Sequence, residues 1–179
     1  KMETSGTDFV IVGGGLMGCS AALDLSRKGC SVVLLERGFV GAEASGVNFG
    51  LLRRQDRFLA QLPLANRAVE IWHRLESVVG EDCEVEIRGH LRFALDDEDM
   101  AVIEDYAAGA REYGFDIEIL DGPDLRRRWP WLSDRLIGAG WSPDDGVANP
   151  RLVTPAYARA AQAAGSDIRE EHEAVEMTR

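Results

Sequence analysis

Three glycines near the start of the chain have the spacing of a phosphate-binding turn. Gly13, Gly15 and Gly18 form a G-x-G-x-x-G pattern, and Glu36 follows 18 residues after the last of them. The first glycine permits a tight turn, the second lets the backbone approach a pyrophosphate, and the third allows a helix to pack closely. A carboxylate placed like that of Glu36 can accept hydrogen bonds from the ribose hydroxyls of an adenosine. This combination predicts a binding site for an adenine dinucleotide.

The segments around these residues have the patterns that such a site needs. Phe9–Val12 is an apolar run, which predicts a strand buried on both faces. A helix containing Ala22 follows, and a second apolar strand from Ser31 to Leu35 ends at Glu36. The free N–H groups and positive dipole end of that helix would meet the phosphates. Because Glu36 would repel a 2′-phosphate, NADP is disfavoured, and FAD and NAD remain.

The bulk composition excludes several classes of function. The chain has 179 residues and a net charge of −11, which argues against nucleic acid and anionic membranes as partners. No apolar run reaches the roughly 20 residues that a membrane-spanning helix needs, and no segment has the order of a signal peptide. Cys19, Cys30 and Cys83 have neither metal-ligand nor redox spacing, so we expect no metal site and a reducing, cytoplasmic location.

The rest of the chain alternates between helical and strand patterns. The expected helices are Leu62–Ser77, Glu98–Tyr113, Asp121–Trp129 and one that begins at Asn149-Pro150 or Thr154-Pro155 and ends at Gly165. The expected strands are Glu84–Arg88, Gly89–Leu95, Phe115–Leu120, Leu136–Ser142 and Asp167–Met177. A Rossmann sheet needs more parallel strands than these, which suggests a fragment of a two-domain enzyme.

The segment that follows the second strand carries a family resemblance. Residues Glu36 to Arg54, ERGFVGAEASGVNFGLLRR, resemble the FAD-dependent amino-acid and amine oxidoreductases, such as glycine and sarcosine oxidases and D-amino-acid oxidases and dehydrogenases. The likeness continues in Gly89-His90-Leu91, Asp96 to Tyr113, Gly114 to Leu120, Trp129-Pro130-Trp131-Leu132 and Asp145 to Pro150. The resemblance implies an α/β fold, with a Rossmann-like FAD-binding domain of the glutathione-reductase type and an interleaved α+β substrate domain, both incomplete in this chain. The expected domains are residues 1–82 with 150–179 for FAD, and 83–149 for substrate.

The same resemblance implies a set of FAD-binding residues. These are Gly13, Gly15, Gly18 and the amides of Leu16 and Met17 at the pyrophosphate, Glu36 at the ribose, Arg37 and Val175 at the adenine, and Ala44, Ser45, Asn48, Gly50 and Leu51 along the pyrophosphate and the flavin ring. Arg53 matches an arginine that stands over the flavin face in some amine oxidases, and is the catalytic candidate. Ser45 and Asn48 alternatively serve as turn formers, Arg53 as a surface partner of Glu43 or Asp56, and Val175 as plain sheet core.

The resemblance implies oxidation of a carbon–nitrogen bond in an amino acid or amine, with hydride transfer to flavin N5 and oxygen or a quinone as the electron acceptor. Two alternatives remain open. One is a 2-hydroxy-acid or glycerol-phosphate dehydrogenase of the same fold, which acts on carbon–oxygen bonds. The other is a non-catalytic FAD-binding subunit of a larger complex. Because the substrate clamp lies in the family's C-terminal half, we expect the remaining half of the enzyme, or other subunits, to complete the active site.

Overall fold

The computed structural model describes residues 6–178, which form two compact units. The first unit contains the chain up to residue 50, residues 75–84 and the chain from residue 148 onward. The second contains residues 51–74 and 85–147. These units are defined by contacts within the chain, so the expected division into FAD and substrate domains stays a prediction. No helix among the described residues is long and apolar enough to cross a bilayer.

The first unit is built on a parallel sheet of three strands. Its strands are β1 (Phe9–Val12), β2 (Val32–Leu35) and β8 (Asp167–Arg169), in the order β1-β2-β8. Its helices are α1 (Leu16–Arg27), α3 (Leu75–Val79) and α6 (Pro150–Ala163). Phe9 lies opposite Val32 and Val12 opposite Leu35, which confirms the expected βαβ unit at the start of the chain.

Helix α1 packs tightly because small residues line its inner side. Cys19 and Ala22 are fully buried, and Leu23 nearly so. Helix α6 packs against α1, and the hydroxyls of Ser26 and Ser166 lie 2.6 Å apart in this buried region. Burying this apolar surface is the main stabilising contribution available to the unit.

Strand β1 corrects one expectation. Phe9, Val10 and Val12 are 43%, 58% and 59% exposed, so the strand is not buried on both faces. The reason is topological: β1 forms an edge of the described sheet and pairs only with β2. The contact of Ile11 with Gly18 shows that α1 covers one face, and strand alternation then places Val10 and Val12 on the other.

The last strand is shorter than expected. It covers Asp167–Arg169 rather than Asp167–Met177, and residues 170–178 contain no strand. The regular pairing with β2 ends where Arg169 lies opposite Leu35, and the backbone beyond makes separate hydrogen bonds from Glu171 to Gly38 and from His172 to Glu36. Glu171 has a φ of 55°, a left-handed conformation that interrupts a strand.

The second unit combines two small antiparallel sheets with helices. One sheet has the order β4-β6-β5, and the other pairs β3 with β7. The elements are β3 (Leu51–Leu52), α2 (Leu62–Trp72), β4 (His90–Ala94), α4 (Asp97–Arg111), β5 (Glu118–Asp121), α5 (Gly122–Arg128), β6 (Gly138–Ser142) and β7 (Gly146–Val147). Asp96 and Asp121 cap α4 and α5 through their side chains, which accept from the amides of Asp99 and Asp124.

Two local expectations differ from the structure, and a third, which offered two starts for one helix, matches it at the first of them. Residues 84–88 form a single bridge, Glu86 to Val147, and Glu84 has a φ of 55°, which does not suit a strand. The helix expected at Leu62–Ser77 is divided into α2 and α3, and the break falls where the chain passes from one unit to the other. Helix α6 begins at Pro150, capped by the Asn149 side chain, and continues as one helix through Pro155.

A candidate dinucleotide-binding site

The glycine turn between β1 and α1 has the geometry of a phosphate-binding turn. Gly13 has a φ of 107°, a conformation that L side chains rarely adopt. A Cβ on Gly18 would lie 2.0 Å from the carbonyl oxygen of Gly13, so only glycine lets the helix lie this close to the turn. Gly15 is the N-terminal cap residue of α1, and the positive end of the helix therefore lies at the turn.

Some backbone N–H groups of the turn donate to a side chain of the protein, and others have no backbone acceptor in the described part of the chain. The Gly14 amide donates to Glu36 Oε2 at 2.6 Å, and the Leu16 amide donates to Ser45 Oγ at 3.0 Å. The amides of Gly15 and Met17 donate no hydrogen bond to the backbone of another described residue. Since N–H groups in the first turn of a helix have no partner within the helix, these two are suited to a phosphate oxygen.

The segment after β2 folds back over this turn. The Gly41 amide donates to the carbonyl oxygen of Gly14 at 3.0 Å. The Asn48 side chain donates to the carbonyls of Ala44 and Ser45, and accepts from the Gly50 amide at 2.8 Å. Asn48 therefore acts on the loop itself, as the turn-forming alternative predicts.

Gly50 is required where this segment ends. It has a φ of 65°, and a Cβ there would lie 2.0 Å from the carbonyl oxygen of Ala148. The backbone at Gly50 and Ala148 is also joined by a 2.9 Å hydrogen bond.

Two adjoining hollows lie along the turn, and both include Glu36 and Glu43 in their walls. The first has a volume of about 240 Å³, the second about 340 Å³. The first is also lined by Gly14, Gly15, Ala44 and Ser45, and the second by Val12, Gly13, Arg37, His172, Glu173 and Ala174. Backbone amides at one end, a carboxylate in the middle and a second hollow beyond match the order of phosphate, sugar and base in a dinucleotide.

Sequence reasoning missed part of the second hollow. His172 and Glu173 were not expected there, because Val175 was the residue matched to the adenine. The His172 amide donates to the Glu36 carbonyl at 2.8 Å, which brings the chain after β8 against the end of β2. Recognising that the last strand pairs in parallel with β2 would have placed His172 and Glu173 beside Glu36, because both strands end at the same edge of the sheet.

Several predicted residues do not line either hollow. Val175 is 88% exposed, and Met17, whose backbone amide is the predicted contact, is 82% exposed. Leu51 and Arg53 belong to the second unit, so the first unit alone brings together the glycines, Glu36, Arg37, Ala44 and Ser45.

Cys19 lies beneath the turn, and its thiol is unreactive as a nucleophile. Its thiol lies 3.5 Å from the Gly14 carbonyl oxygen. Burial, together with the negative charges of Glu36 and Glu170, raises the pKa of Cys19 to about 12. A thiol with this pKa stays protonated at neutral pH and is not a nucleophile.

Arg53, the catalytic candidate, lies in the second unit beside a carboxylate. Its guanidinium donates to the Gln55 carbonyl and lies 3.9 Å from Asp56, so the structure contains the Asp56 pairing. The next residue, Arg54, is buried and bonds to Asp145 through Nε at 3.0 Å and through its backbone amide at 2.9 Å. This buried pair fixes the backbone that carries Arg53.

The comparison with known families agrees with this geometry. A family model described as FAD dependent oxidoreductase (DAO) matches residues 8–179. The chain belongs to this family. FAD is accordingly its cofactor, and the fold is that of an FAD-binding oxidoreductase.

The known relatives of this chain are named as enzymes for several different substrates. The chain is 28% identical over 177 residues to one of the subunits of the anaerobic glycerol-3-phosphate dehydrogenase of Escherichia coli strain K12, a match that covers 99% of this chain and 32% of that protein. It is 27% identical over 166 residues to the monomeric sarcosine oxidase of Bacillus sp. strain B-0618, covering 90% of this chain and 42% of the oxidase. The crystal structure of glycine oxidase from Bacillus cereus ATCC 14579 superposes with a TM-score of 0.80 at 30% identity, covering 93% and 46%. The chain thus spans less than half of each of these proteins.

Proposed function

We propose that the protein uses FAD to oxidise the carbon–nitrogen bond of an amino acid or a secondary amine. The observation that carries this choice of substrate is the likeness to glycine oxidase, at 30% identity with a TM-score of 0.80. The alignment with a sarcosine oxidase over 90% of the chain supports the same class. When bound, FAD supplies the hydride acceptor, flavin N5, and the protein supplies orientation and charge.

The FAD-binding roles proposed for the chain follow the order of groups along the two hollows. The amides of Gly15 and Met17 receive the pyrophosphate, and the Ser45 hydroxyl, which already accepts from Leu16, directs its hydrogen to a phosphate oxygen. Glu36 receives the ribose hydroxyls. Arg37, in the wall of the second hollow, lies beside the adenine. Residues 1–82 with 150–179 form the FAD domain in this proposal, and residues 83–149 contribute to the substrate domain.

Arg53 is the proposed catalytic residue, and its surroundings support an electrostatic role. Its side chain is 36% exposed, close to Asp56, which also pairs with Arg92. A partly exposed guanidinium held by carbonyl and carboxylate groups can stabilise negative charge on a substrate or on reduced flavin. The roles of Leu51 at the flavin ring and Val175 at the adenine also stay proposals.

A second candidate function is oxidation of a carbon–oxygen bond in a glycerol phosphate. The alignment with the glycerol-3-phosphate dehydrogenase chain covers 99% of this protein, which is more than the sarcosine oxidase alignment covers. Because that relative is one chain of a multi-chain enzyme, this candidate also includes partner chains. It keeps the same FAD site and changes only the substrate.

Anaerobic reduction of the flavin separates the two candidates. The full-length protein would be purified with its flavin and mixed, without oxygen, with glycine, sarcosine or D-amino acids, and separately with glycerol 3-phosphate or 2-hydroxy acids. Loss of flavin absorbance with the amino compounds alone supports the proposed function. Loss with glycerol 3-phosphate alone supports the second candidate. If the protein binds FAD and none of these compounds reduces it, the result favours a non-catalytic FAD-binding component of a complex.

A further inference from the structure

The carboxylate of Glu36 is bonded to the protein backbone on both of its oxygens. Oε2 accepts from the Gly14 amide at 2.6 Å, and Oε1 accepts from the Gly38 amide at 2.7 Å. Gly14 lies in the phosphate-binding turn, and Gly38 begins the segment that folds back over it. Hydrogen bonds to an ionised acceptor are about twice as strong as neutral ones. Glu36 thus joins two pieces of backbone that are far apart in the sequence.

Packing reinforces this link. A Cβ on Gly14 would lie 3.0 Å from Cβ and Cγ of Glu36, so the side chain of Glu36 lies directly on the backbone of the turn. The Gly14 carbonyl accepts from the Gly41 amide at 3.0 Å. The peptide groups on both sides of Gly14 are therefore held, one by Glu36 and one by the segment that begins at Gly38.

An ionised carboxylate has about four acceptor positions on its two oxygens. The two backbone amides use one position on each oxygen. A further position on each oxygen is left for the two hydroxyls of a ribose. Binding the sugar and holding the turn are therefore compatible in one geometry.

We propose that Glu36 is a positioning residue for the phosphate-binding turn, in addition to its role at the sugar. It acts through Gly14, whose position sets the neighbouring amides of Gly15 and Met17. This inference rests on the proposed FAD-binding roles. It differs from a purely sugar-binding role in one respect: loss of the carboxylate must weaken the binding of the phosphates as well.

Two nucleotides separate these roles. ADP has both the ribose hydroxyls and the pyrophosphate. 2′,3′-dideoxy-ADP keeps the pyrophosphate but lacks the two hydroxyls. Calorimetry would measure the dissociation constants of both for the parent protein and for the variants Glu36→Gln and Glu43→Gln. Glu43 lines both hollows, so its variant removes the same negative charge. No hydrogen bond of the Glu43 side chain is found among residues 6–178.

Glu36→Gln is expected to raise the dissociation constant of dideoxy-ADP by about tenfold, because one oxygen becomes an NH₂ group that cannot accept from an amide. Glu43→Gln is expected to lower it, since a negative charge near the phosphates is removed. A Glu36→Gln variant that loses affinity for ADP alone, and binds dideoxy-ADP like the parent protein, would overturn the positioning role. If Glu36→Gln does not fold, Glu36→Asp gives the same test, because its side chain is one methylene shorter and cannot reach both amides.

Amide hydrogen exchange tests the link without any nucleotide. Gly14 and Gly38 are expected to exchange about tenfold faster in Glu36→Gln than in the parent protein, and at the parent rate in Glu43→Gln. Equal exchange in the two variants would overturn the positioning role and leave the site intact. A parent protein that binds neither nucleotide would instead overturn the proposed FAD-binding roles, whatever the exchange rates.

Discussion

At the scale of single residues, this chain contains more charge inside the second unit than the sequence patterns indicate. Asp145 is fully buried and Arg54 nearly so, and the Arg54 guanidinium also lies 4.3 Å from the centre of the Phe115 ring. The Arg54 carbonyl accepts from the Tyr106 hydroxyl at 3.1 Å. Such a pair is costly to desolvate, and its value lies in fixing one geometry of the surrounding loops.

Removing one charge of this pair is expected to be strongly destabilising. Asp145→Asn leaves the Arg54 guanidinium buried without its main counter-charge, and we expect the free energy of unfolding to fall by about 3–5 kcal/mol. Asp116→Asn is the matched control, because the Arg111–Asp116 pair lies on the surface of the same unit. Urea denaturation would measure both variants. Equal, small losses would show that the buried pair does not support the unit.

His90 is expected to make the stability of the second unit depend on pH. The pKa of His90 is lowered, mainly by burial and in addition by the positive charge of Arg53. The negative charges of Asp145 and Asp56 act in the opposite direction but do not outweigh burial. The folded protein therefore binds fewer protons at this group than the unfolded chain, and stability falls as the pH drops below about 6.5. His90→Gln is expected to lose less stability than the parent protein between neutral and mildly acidic pH. Thermal unfolding at several pH values gives the comparison, and identical profiles for the variant and the parent protein would contradict it.

At the scale of elements, local signals predicted well where a side chain or a glycine decides the backbone. Asp96, Asp121 and Asn149 cap helices at the positions that their side chains favour. The glycine turn and the position of Glu36 follow from spacing in the same way. Features that depend on a partner strand did not follow from local patterns. The pairing of β8 with β2 ends at Arg169, and the left-handed backbone at Glu171 follows, although the sequence of the last segment predicts a longer strand.

The close approach of α1 to its turn gives an element-scale prediction. Gly18→Ala places a Cβ 2.0 Å from the Gly13 carbonyl, so the helix must move away from β1. We expect a loss of about 1–3 kcal/mol in stability and weaker FAD binding, because the turn amides move with the helix. Gly6→Ala has no atom within 4 Å and serves as the control. Chemical denaturation and FAD titration would report the two effects, and unchanged values for Gly18→Ala would refute the packing.

At the scale of the whole molecule, the first unit has an open edge and an open face. Val10 and Val12 are more than half exposed on a strand that has one paired neighbour. Parallel sheets in proteins are normally covered on both faces, and an exposed apolar edge strand invites pairing with another chain. The 179-residue chain by itself is therefore expected to self-associate through β1.

Val10→Lys tests that expectation. A charge on the open face of β1 is expected to shift the isolated chain towards monomer in sedimentation experiments. Val102→Lys adds the same charge to an exposed apolar side chain on α4, outside any sheet, and is expected to change little. If both variants associate like the parent chain, β1 is not the contact.

The hydrogen bonds from Glu171 to Gly38 and from His172 to Glu36 have a consequence for biosynthesis. The wall of the second hollow joins residues near 36 to residues near 172, so it cannot form until both have left the ribosome. At a synthesis rate of about 5–20 residues per second, residues near 172 are made on the order of ten seconds after the glycine turn. A nascent chain in which Glu171 has not yet left the ribosome should therefore fail to retain FAD, even though its phosphate-binding motif is already complete.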